Sequence, residues 1–299
     1  LCKNALKTRE VFMKLSIIIP VYNEERRILH TLKAIYDGSL LPTEIIVVDG
    51  GSSDHTVEIV MNSYPDVILL NNPDKTAATG RNVGILEAHG EIIAFTDGDC
   101  LVARDWLRNI AKHFEDTDID GLGGKVLNAV PENRYEEYWG NLAWNLIMSF
   151  PDESYEVREK KLNDAFVTAN CAYRRDLLFR INGFSEFFAN NAEDVDLCWR
   201  AIDCGAKLVY VPDVIIYAHN VTTLKGIAQK SFRNGVSSSK LQKVYGNKVN
   251  YDPAIYRMLV RNLAGVIKKE KNAELNCIEL LCHLFGKYYG SIKVGVINI

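Results

Sequence analysis

Two carboxylates, Asp97 and Asp99, flank a single glycine directly after the apolar run 91–96. Carboxylate oxygens suit a hard divalent cation such as Mg²⁺ or Mn²⁺, and a cation held by one or two of them keeps positions for substrate phosphates. In an open α/β sheet, ligands bind beyond the carboxyl ends of the strands, which is where these residues lie. Asp-Gly is also a turn signal, and the tripeptide alone favours a surface turn.

Polar residues also follow the first two apolar runs. The segment 20–24 closes the first run, and the segment 49–54 closes the second with Asp49, two glycines and a possible helix cap at Asp54. Asp49 could accept hydrogen bonds from a base or a ribose hydroxyl, and the glycines would let a ligand approach the backbone. A plain loop that ends in a cap is the alternative for this segment.

The segment 75–84 predicts a helix with an interruption at Gly80, followed by Arg81 and Asn82. A guanidinium here could face a base or a diphosphate, whereas the alternative is an exposed helix with a loose turn. The sequence contains neither the phosphate-binding GxxxxGK[ST] pattern nor a GxGxxG pattern after the first strand.

Acidic residues begin a predicted helix at 193–204, and a histidine ends a predicted strand at 214–218. Asp194 could be a general base that takes a proton from an attacking hydroxyl, or a carboxylate that merely favours the helix dipole. His219 could complete the metal site of Asp97 and Asp99, although a lone histidine is usually structural.

Apolar runs alternate with helical patterns through the first half of the chain, which predicts a mostly parallel, doubly wound sheet with helices on both faces. The predicted strands are 15–20, 44–49, 67–70, 91–96, 166–169, 207–211 and 214–217, and the predicted helices are 24–36, 54–64, 76–88, 193–204 and most of the chain from 222. The aromatic-rich segment 131–165 predicts a packed helix pair, with a lid or acceptor wall as the alternative.

The composition is that of an ordinary globular protein, with 299 residues, 47% hydrophobic residues and a formal net charge of −3. This charge gives no indication of a nucleic-acid partner. Seven dispersed cysteines form no CxxC pair, which is typical of reduced thiols in a cytosolic protein. The predicted organisation is an extension at 1–12, a catalytic domain at 13–220 with halves 13–125 and 126–220, and a helical extension at 221–299.

Taken together, five segments occur in an order that resembles glycosyltransferase family 2, whose members are inverting enzymes with the GT-A fold. They are Ile17-Ile-Ile-Pro-Val-Tyr-Asn-Glu24, Glu44-Ile-Ile-Val-Val-Asp-Gly-Gly-Ser-Ser-Asp54, Gly80-Arg-Asn-Val-Gly84, Asp97-Gly-Asp99 and Glu193-Asp-Val-Asp-Leu197. The segment 182–186 also resembles the family's Gly-Gly-Phe-Asp-Glu, with Asn182 and Ser185 as departures. The resemblance covers residues 14–220.

The resemblance implies a role for each matching position. The residues implied to bind the nucleotide sugar are Pro20, Tyr22, Glu24, Asp49, Arg81, Asp97 and Glu193. Within this group Asp49 would bind the base, typically uracil, and Arg81 would lie near the base or the diphosphate. Asp99 would hold Mg²⁺ or Mn²⁺, Asp97 would contact the ribose or the metal, and His219 matches a further metal ligand of some relatives. Asp194 would be the catalytic base.

The implied activity is transfer of a hexosyl or N-acetylhexosaminyl group from a nucleotide donor, expected to be a UDP-sugar, to a hydroxyl of a glycan or lipid-linked glycan. Two alternatives remain, a sugar-phosphate nucleotidyltransferase and an inactive nucleotide-sugar-binding module. We expect a cytoplasmic protein, and the basic, partly apolar C-terminal region is compatible with a peripheral contact to the inner face of the cell membrane.

Overall fold

The computed structural model describes residues 13–116, 118–143, 148, 150–189, 191–246 and 253–296, with the backbone alone at 253–255. The predicted extension 1–12 and Trp144 of the aromatic-rich segment lie outside this range. The fold places one sheet between helices, and a set of long helices follows it.

A nine-stranded sheet forms the centre of the described chain. The strands are β1 (Leu15–Val21), β2 (Glu44–Asp49), β3 (Ile68–Asn71), β4 (Ile92–Phe95), β5 (Cys100–Val102), β6 (Gly121–Asn128), β7 (Tyr155–Val157), β8 (Cys171–Arg174) and β9 (Leu208–Ala218). Their order is β3-β2-β1-β4-β8-β6-β9-β5, with β7 paired to β9. Strands β1 to β4 are mutually parallel, whereas β8, β5 and β7 run antiparallel to their neighbours.

The helices lie between the strands and after them. They are α1 (Ile28–Tyr36), α2 (Thr56–Ser63), α3 (Ala77–Glu87), α4 (Trp106–Phe114), α5 (Arg134–Gly140), α6 (Arg175–Arg180), α7 (Glu193–Asp203), α8 (Leu224–Tyr245), α9 (Pro253–Ile267) and α10 (Ala273–Val294). Alternate residues of β1 point to opposite faces, so that Ile17 and Ile19 pack with α1 and α4, while Ile18 packs with α3 and α7. The sheet is therefore covered on both faces.

The predicted α/β sheet with flanking helices and a helical C-terminal region is confirmed. The sheet is mixed rather than mostly parallel, since four of its eight strand pairings are antiparallel. The described part of the segment 131–165 contains the helix α5, the strand β7 and a short 3₁₀ helix rather than the predicted helix pair. Two further differences are local. Residues 166–169 do not form the predicted strand; a short 3₁₀ helix occupies 168–170, where the buried Asn170 side chain donates to Lys125 O and Val214 O. The two strands predicted at 207–217 are one strand, β9, whose pairing with β6 shifts register at Lys125.

Helix α3 runs without the predicted interruption at Gly80. A Cβ at this position would lie 3.1 Å from the Asn72 side-chain nitrogen, so the missing side chain lets the helix approach the end of β3. Thr76 and Thr79 form a reciprocal capping box at the first turn. Close packing and a strong cap together explain why a glycine is tolerated inside the helix.

Helix α8 joins the sheet and its flanking helices to α9 and α10. Helices α8 and α10 cross so closely that a Cβ on Gly286 would lie 2.0 Å from Phe232 O. Ile227 and Leu275 pack against Tyr138 and Trp139 in a small separate hydrophobic core. No helix among the described residues has both the length and the apolar character needed to cross a membrane.

Candidate active site

A cleft of about 700 Å³ opens at the carboxyl ends of β1, β2 and β4. Nine of the ten predicted site residues line it, namely Pro20, Tyr22, Glu24, Arg81, Asp97, Asp99, Glu193, Asp194 and His219. The strand ends are tied together because Gly50 N donates to Val21 O and Asn72 N donates to Asp49 O. Parallel strands therefore bring segments distant in sequence to one edge of the sheet, as the order β3-β2-β1-β4 requires.

Asp49 is the exception, since it is not among the described residues that line the cleft. It is buried, and its carboxylate accepts hydrogen bonds from Gly51 N and Ser52 N at 3.0–3.2 Å. The side chain thus orders the turn after β2, and the backbone of Gly50 faces the cleft instead. A contact of Asp49 with the nucleotide base stays a prediction.

Asp97 and Asp99 lie in the link between β4 and β5. One ligand atom from each of Asp97, Asp99 and Cys100 lies within 4.8 Å of the others. Thr31 Oγ1 donates to Gly98 O at 2.9 Å and holds the link against α1. Burial raises the pKa of Asp99 and the nearby charge of Asp97 raises it further, while the charges of Lys230 and Arg27 oppose the increase.

Arg81 of α3 joins two acidic groups from different parts of the chain. Its Nη2 lies 2.9 Å from Asp97 Oδ1 and its Nη1 lies 2.9 Å from Glu193 Oε1. The Arg81 and Glu193 side chains are 4% and 7% exposed, whereas that of Asp97 is 36% exposed. Arg81 therefore fixes the β4 end against the first turn of α7.

Replacement of Arg81 by methionine is expected to lower the free energy of unfolding by about 3–5 kcal/mol, because Glu193 is left as a buried carboxylate without its cation. Urea unfolding measures this loss. Arg26→Met is the matched control, since the Arg26 side chain is 72% exposed and its ion pair with Glu132 is at the surface. Equal stability of the two variants would contradict the bridging role of Arg81.

The first turn of α7 carries three acidic residues in different environments. Ala192 precedes the helix in the left-handed conformation, with φ of 66°, which is strained for a residue with a side chain. Glu193 Oε1 accepts a hydrogen bond from Arg81, but the buried Glu193 Oε2 has no hydrogen-bond partner among the described residues. Asp194 lines the cleft, with Val195 N donating to its Oδ1 at 2.8 Å, and burial raises the pKa of its carboxyl.

Asp196 has a structural role. Its Oδ2 accepts from Arg200 Nε at 2.7 Å, and its Oδ1 accepts from the Tyr245 hydroxyl at 2.7 Å. The side chain is almost fully buried and does not line the cleft. Among the acidic residues of this turn, Glu193 and Asp194 both line the cleft, but Glu193 is paired with Arg81, whereas no ion pair holds Asp194 among the described residues.

His219 is oriented by Glu136, a residue that the sequence did not indicate. His219 Nδ1 lies 2.9 Å from Glu136 Oε1, and the buried Glu136 also accepts from Asn220 N and Glu132 N. His219 N donates to Asp99 O at 3.3 Å, so the residue lies beside the acidic link. Glu136, Glu132 and His219 also form a second compact group of ligand-type atoms, distinct from that of Asp97 and Asp99.

Lys230 enters the cleft from α8. Its Nζ lies 5.6 Å from the centre of the Trp139 ring. Burial lowers the pKa of Lys230, and the opposing attraction of Asp99 and Asp97 places its charge near the acidic link. Arg233 and Asn234 line the cleft from the same helix. The sequence indicated a basic helix here, but it did not indicate that Lys230 lies on the face directed towards Asp97 and Asp99.

Glu24 has a pKa raised to about 8 by burial, with further contributions from Asp99 and Asp97. Between its ordinary value of 4.5 and about 8, the carboxyl is protonated in the folded chain and ionised in the unfolded chain. The unfolded state therefore binds fewer protons, and stability falls as the pH rises through this window.

For the metal-free protein, we expect Glu24→Gln to flatten the decline of the unfolding free energy between pH 5 and 8, by at most about 1.4 kcal/mol per pH unit. Urea unfolding at several pH values measures the slope. Glu25→Gln, at the exposed neighbouring residue, is the matched control. A slope that Glu24→Gln does not alter would show that this carboxyl is ionised throughout.

The fold and the acidic cleft define a nucleotide-sugar-dependent glycosyltransferase of the GT-A type. Residues 16–180 match the family model described as "Glycosyl transferase family 2". The chain belongs to this family. It is 31% identical over 226 residues to "Glycosyltransferase AglE" of Haloferax volcanii, covering 74% of this chain and 71% of that protein.

Solved structures of low sequence identity share the fold. "Mannosyltransferase PcManGT" from Pyrobaculum calidifontis, in complex with GDP-Man and Mn²⁺, matches with a TM-score of 0.61 and 19% identity, over 93% of this chain and 87% of that one. S. aureus TarS 1–349, in complex with UDP-GlcNAc, matches with a TM-score of 0.56 and 18% identity, over 96% and 93% of the two chains.

Proposed function

We propose that this protein is a metal-dependent, inverting glycosyltransferase. It moves a hexosyl or N-acetylhexosaminyl group from a nucleoside-diphosphate donor, a UDP-sugar in the first instance, to a hydroxyl of a glycan or lipid-linked glycan. The observation that carries the proposal is one cleft with Asp97 and Asp99 on one wall, Asp194 on another, and Arg81 tying the two walls together.

The acidic link has the chemistry of a divalent-cation site. Carboxylates are hard oxygen donors that suit Mg²⁺ or Mn²⁺, and burial together with the nearby charge of Asp97 raises the pKa of Asp99. Asp97 and Asp99 would hold the ion, with His219 as a further ligand whose ring Glu136 orients. A bound ion would neutralise charge on the departing diphosphate. PcManGT, which shares the fold, was solved with Mn²⁺.

The nucleoside is proposed to lie over the ends of β1 and β2. Tyr22 lines the cleft with its side chain 59% exposed, which leaves an aromatic face available for a base. Pro20, Glu24 and the turn ordered by Asp49 form the surrounding surface. Lys230 and Arg233 of α8 supply cationic groups for the diphosphate at the opposite side.

The donor sugar is proposed to contact Glu193. A buried carboxylate oxygen without a partner is unfavourable in the free protein, and Glu193 Oε2 is such an atom at the cleft wall. A sugar hydroxyl that donates to Oε2 would satisfy it. Arg81 keeps the other oxygen fixed, so that Oε2 has one orientation towards the bound sugar.

Asp194 is proposed to deprotonate the acceptor hydroxyl, which attacks the anomeric carbon from the face opposite the leaving diphosphate. A bond forms between the acceptor oxygen and the anomeric carbon while the bond to the diphosphate oxygen breaks. The proton remains on Asp194 until solvent removes it. A single displacement inverts the anomeric configuration, through a transition state similar to that of glycoside hydrolysis.

The test is release of nucleoside diphosphate from a panel of donors that includes UDP-Glc, UDP-GlcNAc, UDP-Gal and GDP-Man, each with Mn²⁺, with Mg²⁺ and with a chelator. We expect one donor to be consumed in a metal-dependent reaction, and the product's anomeric configuration by NMR to be opposite to the donor's. Release of pyrophosphate from a nucleoside triphosphate and a sugar phosphate, or retention of configuration, would contradict the proposal.

A further inference from the structure

The outer face of α9 and α10 is unusually apolar for a protein surface. Ten large apolar or aromatic side chains of these helices are exposed, namely Met258, Val260, Leu263, Val266, Ile267, Leu281, Phe285, Tyr288, Tyr289 and Ile292. Val260, Ile267 and Ile292 are the most exposed, at 67%, 85% and 85%. So many exposed apolar side chains on two packed helices indicate an interaction site.

The exposed residues form a stripe on each helix. Val260, Leu263 and Ile267 follow the spacing of three and four residues that keeps side chains on one helix face. On α10, Leu281, Phe285, Tyr288 and Ile292 follow the same spacing. The Tyr256 and Tyr288 hydroxyls lie 2.7 Å apart and join the two helices at one end. We call these two stripes the C-terminal apolar face.

Positive charge flanks this face. Helix α9 contains Arg257 and Arg261 and no acidic residue, and the segment that follows it contains Lys268, Lys269 and Lys271 with Glu270 alone. Arg257, Arg261, Lys268 and Lys269 are exposed, and no acidic group in the described part of the chain forms an ion pair with any of them. The local excess of positive charge contrasts with the formal net charge of −3 for the whole chain.

We propose that the C-terminal apolar face docks on an anionic lipid surface. An apolar stripe bordered by arginine and lysine is the pattern of a helix that lies in a membrane interface, where the apolar side chains enter the acyl boundary and the cations meet headgroups. A second copy of the chain fits less well. A symmetric dimer through this face would bring its own cationic residues together without counter-charge.

A groove on α8 lies beside the active-site cleft and near this face. It is lined by Ala228, Gln229, Phe232 and Arg233, and the Phe232 ring lies 5.7 Å from that of Tyr289 at the edge of the apolar face. Arg233 lines both the groove and the cleft. The docked surface would therefore present a lipid-linked acceptor to the cleft, with its phosphate at Arg233. The presentation of an acceptor rests on the proposed function, whereas docking on a lipid surface does not.

The experiment is co-sedimentation of the full chain with vesicles of phosphatidylcholine alone and with phosphatidylglycerol added. The apolar variant is Val260→Ser with Ile267→Ser, and the charge variant is Arg257→Ser with Arg261→Ser. Matched controls are Met61→Ser with Leu86→Ser, which are 60% and 72% exposed on α2 and α3, and Lys112→Ser with Arg180→Ser. None of these residues lines the cleft.

We expect binding to the anionic vesicles that decreases with salt, and a partition coefficient about 10- to 30-fold lower in the charge variant, at roughly three- to fivefold per basic residue. The apolar variant should bind less at every salt concentration, and both controls should bind as the parent does. Equal binding to neutral vesicles, no binding to either vesicle, or a dimer in sedimentation analysis that the apolar variant abolishes would overturn the proposal.

Mn²⁺-dependent nucleotide binding, measured by calorimetry on the same variants without vesicles, should be unchanged. This readout separates the two proposals. If a variant loses vesicle binding but keeps nucleotide binding, the substituted residues belong to the docking surface. If the parent protein binds no nucleotide, the proposed function is contradicted and the docking proposal is not.

Discussion

Asp194→Asn is expected to lower the turnover rate of sugar transfer by about 10²- to 10⁴-fold, the range that a positioned general base contributes. The substitution keeps the size of the side chain and its place at the start of α7, but the amide cannot take the acceptor's proton. Metal-dependent nucleotide binding should persist, because Asp194 does not belong to the group of ligand-type atoms that Asp97 and Asp99 form in the described part of the chain.

Asp196→Asn is the matched contrast, two residues further along the same helix. Asp196 holds Arg200 and Tyr245, so its loss should lower the free energy of unfolding with little change in the rate per folded molecule. Rate and stability should therefore separate between the two variants. Near-normal turnover in Asp194→Asn, or a rate loss in Asp196→Asn as large as that in Asp194→Asn, would contradict the assignment of the base.

The pH profile gives an independent check on the same residue. Burial raises the pKa of Asp194, so the fraction able to act as a base falls as the pH is lowered through that pKa. The parent enzyme should lose kcat/KM on the acidic side for this reason. The residual activity of Asp194→Asn should lack this acidic decline, whereas a variant that was merely misfolded would keep it in its remaining active fraction.

The strand ends could be predicted from the sequence because parallel strands buried on both faces give continuous apolar runs. Each run ended at residues that the fold brings to one edge, so Pro20 and Asp97 could be expected at the cleft, which both of them line. Asp49 shows the limit of this reasoning. The sequence located it at a strand end, but could not show that its carboxylate would be used by Gly51 N and Ser52 N in the turn.

Other parts of the site depend on contacts across long sequence separations. Glu136 reaches His219 over 83 residues, and neither position has a spacing that predicts the pair. The orientation of Lys230 follows from the close crossing of α8 and α10 and from the ring of Trp139, which periodicity alone cannot determine. Side chains that support a site are thus harder to predict than those at strand ends, because packing rather than local pattern selects them.

Asp99→Asn is expected to weaken Mn²⁺-dependent nucleotide binding by about 100-fold or more, since even residues that support metal ligands contribute 10- to 100-fold to metal affinity. Calorimetric titration with a nucleoside diphosphate, with and without Mn²⁺, measures the loss. The parent in a chelator should behave as the variant does. Cys100→Ser is the control within the same group of atoms, because burial holds the pKa of its thiol well above the ordinary value and keeps it a protonated, poor ligand.

Stability distinguishes a lost ligand from a damaged fold. The raised pKa of Asp99 means that its ionised form is unfavourable in the metal-free folded chain, through burial and the charge of Asp97. Neutral asparagine removes that repulsion and leaves the Arg81–Asp97 pair in place. The metal-free Asp99→Asn protein should therefore unfold at the same or a higher urea concentration than the parent at neutral pH, although it binds nucleotide more weakly. Unchanged nucleotide titration, or weaker binding accompanied by lower stability, would count against Asp99 as the residue that holds the cation.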